Sequence, residues 1–228
     1  MDELLDDPWY WTHDAEAEHV VRPDAPPFRV ARVAAYGSGD RRRFATLVHG
    51  DSGAARAVRV DLAAADLGGC AGAVAVSAGE GRFTVVTEPG RAVASRVLAG
   101  LDADAVRAVL AGGERLLDVD AYETPAGRRF VVVAAPDGPG THFFTGLTPW
   151  RLRWAVRRAG VRPLRLRAHA LGGLYTAAAG PLRGGRWYTG LTGDQVGRRL
   201  DRSRVWPVDL DARRTPAGVR YALVMRVG

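Results

Sequence analysis

Charged and polar side chains recur at every second position in several segments of the chain, and they are the residues best suited to chemistry. Alternation with apolar residues is typical of a β-strand with one polar and one apolar face. The positions are Arg32 and Tyr36, then Asp118, Asp120 and Tyr122, then Arg165, Arg167 and His169, and finally Asp209, Asp211 and Arg213. If the strands neighbour one another in chain order, acidic, basic and acidic pairs stand side by side.

Two interpretations of this polar face are open from the sequence. In the first, the charges form cross-strand ion pairs on a solvated surface, where each pair contributes little. In the second, they line a central pocket in which burial and mutual charge shift pKa values and support acid/base chemistry. On the second interpretation the catalytic candidates are Asp118, Asp209 and His169, and the ligand-binding candidates are Tyr36, Asp120, Tyr122, Arg165, Arg167, Asp211 and Arg213.

A further group of candidate side chains lies in the segment HDAEAEH, where His13, Glu16 and His19 are three residues apart. On a helix, Glu16 and His19 could share a metal ion, but His13 could join them only with distortion. A polar first helix accounts for the segment, so we expect no metal site. Serine triads, phosphate-binding glycine loops and CxxC pairs are absent as motifs, and we expect no cofactor.

Adjacent aromatic residues occur in the strand before three of the predicted helices. The pairs are Tyr10 and Trp11, Phe143 and Phe144, and Trp187 and Tyr188. Neighbouring residues of a strand point to opposite faces, so one member of each pair is expected in the core. The other either packs on the next unit or forms a stacking platform for a sugar, peptide or planar small molecule.

Arginine clusters raise the separate possibility of nucleic-acid binding. The arginines that could form a stripe along one rim are Arg41 to Arg43, Arg157, Arg158, Arg162, Arg198, Arg199, Arg202 and Arg204. Many acidic residues balance them, and no recognised reading motif accompanies them. Nucleic acid is therefore a possible but unfavoured partner.

The elements that must position these residues recur as an internal repeat. An aromatic residue marks one apolar strand of each copy, at intervals of 39 to 47 residues: Phe44, Phe83, Phe130, Tyr175 and Tyr221. Residues whose side chains can accept from free helical N–H groups recur in parallel as predicted helix starts: Asp14, Asp61, Asp102, Thr148 and Thr192. We predict five strand-helix-strand-strand units, over about 9–49, 57–88, 92–136, 141–180 and 186–228.

Each predicted unit has an amphipathic helix and two paired strands joined by a short turn. The second paired strand is apolar on both faces, so we expect it to be covered on both sides. A single unit cannot bury its own face. We therefore predict one α/β (α+β) repeat domain over 1–228, either a closed propeller-like ring or an open half-barrel. Ring closure is favoured because the first strand and helix complete the last hairpin.

Three stretches carry a resemblance to a known family: HFFTGLT, VRPLRLRAHALGGLYTAAAG and GERLLDVDAYETPAGRRFVVVAAPDG. Their pattern resembles the bacterial tandem repeat domain, an array of repeats of about 45 residues, and the N-terminal region of polyglycine hydrolases. The resemblance covers nearly the whole chain, best in units three to five. It implies a repeat architecture whose repeats carry no established catalytic residues.

Composition limits the class of protein. The 228 residues are 47% hydrophobic with a net charge of +7, and all 32 strong cations are arginine, a bias that indicates a GC-rich genome such as those of actinobacteria. The single cysteine, Cys70, excludes an internal disulfide and fits a reducing compartment. The chain starts with acidic residues, and no apolar run reaches the roughly 18 residues that cross a bilayer. We expect a cytoplasmic protein without a membrane partner.

These features favour binding over catalysis. We expect a repeat-built module that binds a small molecule, peptide or glycan in a pocket lined by the polar strand positions. The first alternative is an unconventional biosynthetic enzyme of secondary metabolism that uses Asp and His in that pocket. A protein-interaction scaffold or an arginine-mediated nucleic-acid binder is the other alternative.

Overall fold

Five three-stranded antiparallel sheets dominate the computed structural model, which describes residues 9–21, 28–50, 54–91, 94–136, 140–169, 173–181, 184–201 and 205–227. Each sheet consists of three consecutive strands. The protein is therefore mostly β, with less helix than the predicted α/β (α+β) class.

The strands are β1 (Trp9–Ala15), β2 (Phe28–Tyr36), β3 (Arg43–Gly50), β4 (Ala57–Leu62), β5 (Ala73–Gly79), β6 (Arg82–Thr87), β7 (Arg96–Leu101), β8 (Arg115–Thr124), β9 (Gly127–Ala135), β10 (His142–Leu147), β11 (Arg162–Ala168), β12 (Tyr175–Gly180), β13 (Gly185–Leu191), β14 (Val205–Thr215) and β15 (Gly218–Val227). The helices are α1 (Ala17–Val21), α2 (Ala103–Ala111), α3 (Pro149–Arg158) and α4 (Gly193–Leu200), with short 3-10 helices at Gly39–Arg41 and Ala64–Gly69. No helix in the described ranges is long and apolar enough to cross a membrane.

The last strand of each sheet lies in the middle, between the other two, as in the order β1-β3-β2. The middle strands are the most deeply buried: Val131, Val132 and Val133 of β9 are each 0% exposed. This burial confirms that the strand with apolar residues on both faces is covered on both sides. The second strands, β2, β5, β8, β11 and β14, are called the inner strands below, because they contact one another from sheet to sheet.

A bulge with a left-handed residue interrupts the first strand of every sheet. The residues with positive φ are Gly100, Gly146 and Gly190 in three sheets and Asp14 and Asp61 in the other two. The predicted helix starts at Asp14 and Asp61 are therefore wrong, because both residues lie within the first strand. Glycine adopts this conformation freely, and Asp is among the few other residues that tolerate it.

The other three predicted helix starts are confirmed. The side chains of Asp102, Thr148 and Thr192 accept hydrogen bonds from the third residue of α2, α3 and α4, and Gln195 completes a capping box with Thr192. The first two sheets lack such a cap. The first has only the five-residue α1, and the second has a 3-10 helix in place of an α-helix.

Apolar side chains between consecutive sheets form the core. Five buried clusters join the first sheet to the second, the second to the third, the third to the fourth, the fourth to the fifth, and the fifth to the first. The cluster between the fifth and first sheets includes Leu47, Leu210 and Leu223, with Trp11 packed against it. Cys70 is buried in the cluster between the second and third sheets, as expected for a small apolar residue.

Candidate binding pocket

The alternating charges predicted from the sequence occupy equivalent places on three inner strands. Asp118, Arg165 and Asp209 lie opposite Val133, Ala178 and Val224 of their middle strands. Asp120, Arg167 and Asp211 lie two residues further along the same strands, and Arg32 of β2 takes the place that corresponds to Asp118. We call these seven residues the ionic cluster.

Arg167 joins two sheets on either side of its own. Its Nη2 donates to Asp118 Oδ1 at 2.7 Å and its Nη1 to Asp209 Oδ2 at 2.5 Å. All three side chains are at most 1% exposed. A solvated ion-paired face, the first interpretation of the sequence, therefore does not describe these residues.

The two remaining arginines of the ionic cluster extend it around the inner strands. Arg165 Nε donates to the carbonyl of Leu117 at 2.8 Å and lies 3.8 Å from Asp118 Oδ1. Arg32 Nε lies 3.6 Å from Asp209 Oδ1, which links the first sheet to the fifth by an ion pair. The four carboxylates thus face three guanidinium groups, so the cluster has a formal excess of one negative charge.

The carboxylates of the ionic cluster also hold neighbouring inner strands together. Each accepts a hydrogen bond from a backbone N–H group of the preceding sheet: Asp118 from Val76 at 3.0 Å, Asp120 from Ala78 at 2.7 Å, Asp209 from Leu166 at 2.8 Å and Asp211 from Ala168 at 2.7 Å. Ser77 does the same for the N–H group of Ala35 at 2.9 Å. Side chains therefore take the place of a backbone ladder where the sheets meet.

Burial shifts the ionisation of the two carboxylates at the outer level of the cluster. It raises the pKa of Asp120 to about 6 and that of Asp211 to about 8, while Arg167 opposes both shifts. Burial also lowers the pKa of Arg167, but the surrounding carboxylates outweigh it and keep that pKa well above its ordinary value. Near neutral pH, Arg167 is therefore charged and Asp211 holds a proton.

A cavity of about 380 Å³ opens above this level, at the ends of the inner strands. All five inner strands or the turns after them contribute to its lining. Four of the predicted ligand-binding residues line it: Tyr36, Asp120, Asp211 and Arg213. Nε and Nη1 of Arg213 are buried and have no hydrogen-bond partner in the described part of the chain.

Tyr36 is held in place by the bulge of its own sheet. Its hydroxyl donates to Asp14 Oδ1 at 2.9 Å and accepts from the Asp14 N–H group at 2.8 Å. Burial raises the pKa of Tyr36 far above its ordinary value, so the hydroxyl stays protonated. The ring is thus a fixed wall of the cavity.

The structure does not place Tyr122 or the catalytic candidates on the cavity wall. The Tyr122 hydroxyl accepts from the Gly100 N–H group at 2.9 Å, and its ring packs edge-on against Phe83. His169 is 1% exposed, with Nε2 2.6 Å from Thr176 Oγ1. Burial, together with the nearby charges of Arg128 and Arg213, lowers the pKa of His169 to about 4. Asp118 and Asp209 lie below the cavity, in the ion pairs to Arg167.

Sequence reasoning missed three polar residues of the cavity wall: Ser38, Glu80 and Arg214. Ser38 and Glu80 belong to turns that follow an inner strand, and Glu80 has a positive φ of 53°. The turn GSGD after β2 and the turn AGEG after β5 occupy equivalent places. Aligning the turns as well as the strands would have identified Ser38 and Glu80.

The two N-terminal histidines lie in different elements, His13 in β1 and His19 in α1. His13 Nδ1 is 2.8 Å from Asp14 Oδ2. Glu16, Glu18 and His19 place ligand atoms within 4.8 Å of one another, and all three are exposed. Exposed acidic groups of this kind are common on protein surfaces without a bound ion.

The function of the protein has to be argued from the geometry of the cavity, because comparison with known proteins gives no relative. No protein-family model matches the chain, and no curated protein matches it at a significant level.

Proposed function

We propose that the protein is a small-molecule or peptide-binding module whose ligand presents an amino group to Asp120 and Asp211. The observation that carries this proposal is the cavity above two buried carboxylates. Its volume of about 380 Å³ suits a ligand the size of an amino acid or short peptide. We also infer that the protein belongs to the bacterial tandem repeat family, because of stretches such as HFFTGLT and VRPLRLRAHALGGLYTAAAG.

The proposed architecture is a propeller-like ring of five repeat units. Contacts between the fifth and first sheets support a ring over a half-barrel: the Trp11 and Tyr221 rings pack at 5.8 Å, and His49 Nε2 lies 3.0 Å from the carbonyl oxygen of Pro207. A ring explains why all five inner strands reach one cavity. Ligand sites at the axis of such rings draw residues from several repeats.

The charge of the ionic cluster is the reason for proposing a ligand with an amino group. The ionic cluster has one more carboxylate than guanidinium groups, and burial raises the pKa of Asp211 even though Arg167 opposes the shift. An ammonium group in the cavity supplies a further cation beside this carboxyl group. Binding should therefore release a proton from Asp211 at pH 7.

A second group of the ligand can contact Arg213, whose buried Nε and Nη1 lack partners among the described residues. Arg213 and Asp211 are two residues apart on β14 and so face the same side, about 7 Å apart along the strand. This separation suits an ammonium and a carboxylate on one short molecule. The proposed ligand is therefore a zwitterion of dipeptide size.

Three matched probes test the proposal by isothermal titration calorimetry: glycylglycinamide as a cation, glycylglycine as a zwitterion and acetylglycine as an anion. We expect the first two to bind with proton release, glycylglycine more tightly, and acetylglycine not to bind. Asp211→Asn keeps the oxygen that accepts from Ala168 but removes the charge, so it should weaken binding at least tenfold. Asp104→Asn on α2 makes the same charge change at an exposed site and is the control.

Two results would overturn the proposal. One is equal binding of all three probes, or of none. The other is unchanged binding to Asp211→Asn and to Asp120→Asn, which would move the ligand away from the cavity floor.

A catalytic alternative is favoured by the placement of two buried carboxyl groups, Asp120 and Asp211, in one cavity, where burial raises their pKa values to different extents. With a pKa of about 6, Asp120 is mostly ionised at pH 7, whereas Asp211, with a pKa of about 8, is mostly protonated. Such a pair can act as general base and general acid. An enzyme of this kind would use Asp120 and Asp211, and it would lose turnover but keep binding in the Asp120→Asn variant.

A further inference from the structure

A second cavity, with a strongly basic lining, lies between α3 and β13. Its volume is about 660 Å³, and its charged residues are four arginines: Arg153, Arg157, Arg162 and Arg186. Among the described residues, no acidic one lines it. We call this cavity the arginine cleft, and it shares no lining residue with the pocket above the ionic cluster.

The arginines of this cleft differ from surface arginines that are paired with a carboxylate. Arg96 pairs with Glu114 at 2.5 Å, Arg107 with Asp104 at 2.5 Å and Arg128 with Glu123 at 2.7 Å. None of the four cleft arginines forms an ion pair with a described residue. Arg153 instead lies over the Trp187 ring at 4.9 Å. The cleft therefore concentrates uncompensated positive charge in a concave site, which attracts an anion.

Two exposed tryptophans lie on α3, the helix that carries Arg153 and Arg157, and Arg158 covers one side of the Trp154 ring at 5.2 Å. Trp150 is 73% exposed and Trp154 57% exposed, although Leu152 and Val156 of α3 are buried. At about 100° per residue, Trp150 and Trp154 lie on the face next to Arg153 and on the side away from Leu152. Two large aromatic rings exposed to water beside unpaired cations indicate an interaction site.

We propose that the arginine cleft and the two tryptophans bind single-stranded nucleic acid. The arginines contact successive phosphates, and bases stack on Trp150 and Trp154, a combination of cationic groove and aromatic platform that suits any single strand. A duplex hides the faces of its bases from such platforms. A membrane surface is flat and would leave the cleft unfilled, and Trp150 and Trp154 are the only exposed large apolar side chains of α3, because Leu152 and Val156 are buried.

Fluorescence anisotropy with a labelled oligothymidylate of about 15 nucleotides tests the proposal on the full chain. Four phosphate contacts predict that log K falls with log salt concentration with a slope of about −3, since each contact contributes about −0.7 on a single strand. The triple substitution Arg153→Gln, Arg157→Gln and Arg186→Gln should reduce the slope to about −1 and weaken binding at least tenfold. The control substitution Arg82→Gln, Arg96→Gln and Arg107→Gln changes net charge equally at exposed arginines outside the cleft, and it should keep the slope.

The tryptophans separate nucleic acid from other polyanions. Trp150→Ala and Trp154→Ala should each weaken oligothymidylate binding about tenfold and leave binding of heparin, which has no bases, unchanged. The proposal is overturned if the cleft and control variants weaken binding equally, if neither tryptophan matters, or if only vesicles of anionic phospholipid bind. No binding at 50 mM salt would also overturn it. Circular dichroism of every variant shows whether it is folded.

Discussion

Removing the positive charge of Arg167 should destabilise the protein more than any other arginine substitution proposed here. Arg167→Met keeps most of the side-chain volume but leaves Asp118 and Asp209, which are 0% and 1% exposed, without their closest cation. Breaking a buried ion pair from one side costs about 3 to 5 kcal/mol, because the remaining charge is buried without compensation. For a chain of 228 residues, this corresponds to a fall in Tm of about 6 to 20 °C.

Urea unfolding at pH 7, followed by circular dichroism, measures this loss. Arg107→Met is the control, since Arg107 is 56% exposed and its pair with Asp104 contributes little. Adding Asp118→Asn and Asp209→Asn to Arg167→Met should restore most of the stability, because the unpaired charges are then absent. A loss below about 1 kcal/mol, or a triple variant no more stable than the single one, would refute a role for charge in this cluster.

Two further predictions concern pH and the bulges. Because burial raises the pKa of Asp211 to about 8, the proton stabilises the folded state, and this stability is lost as pH rises toward 8. The lowered pKa of His169, about 4, has the opposite effect, because the folded state becomes less stable as pH falls. This effect begins only below about pH 6.5. Between pH 6.5 and 8 the free energy of unfolding should thus fall by about 1 to 2 kcal/mol, and Asp211→Asn should remove the fall. Gly146→Ala, at a φ of 68°, should cost about 1 to 2 kcal/mol. Asp61→Gly removes an exposed pair with Arg42 but no backbone preference, so it should cost less in the same urea assay. Equal effects would contradict the assignment of the bulge.

Local patterns in the sequence predicted the elements well where they were strong. Alternation identified the inner strands around Asp118, Arg165 and Asp209, and capping residues identified the starts of α2, α3 and α4. The pattern failed at Asp14 and Asp61, because an Asp that caps a helix and an Asp in a left-handed bulge are the same residue in sequence. Only alignment with the glycines at the same bulge distinguishes the two.

The sequence predicted which residues carry charge but not how deeply they are buried. Whether Arg167 faces water or two carboxylates depends on contacts between strands more than 40 residues apart. Periodicity within one strand carries no information about such contacts. The alternation in β8 also did not show that the Tyr122 hydroxyl accepts a hydrogen bond from Gly100, in the bulge of the neighbouring strand β7. Arg202 and Arg204, part of the predicted arginine stripe, lie outside the described residues.

An odd number of sheets has a consequence for the charges where they meet. At the level of Asp118, the inner strands carry Arg32, Ala75, Asp118, Arg165 and Asp209 in chain order, and the last contacts the first. Because β14 also contacts β2, charges at all five places could not alternate in sign without putting two like charges side by side. Ala75 avoids such a pair. A positive residue at its place would lie beside Arg32, and a negative one would lie beside Asp118. The second sheet thus supplies the neutral position that lets the other four charges alternate in sign.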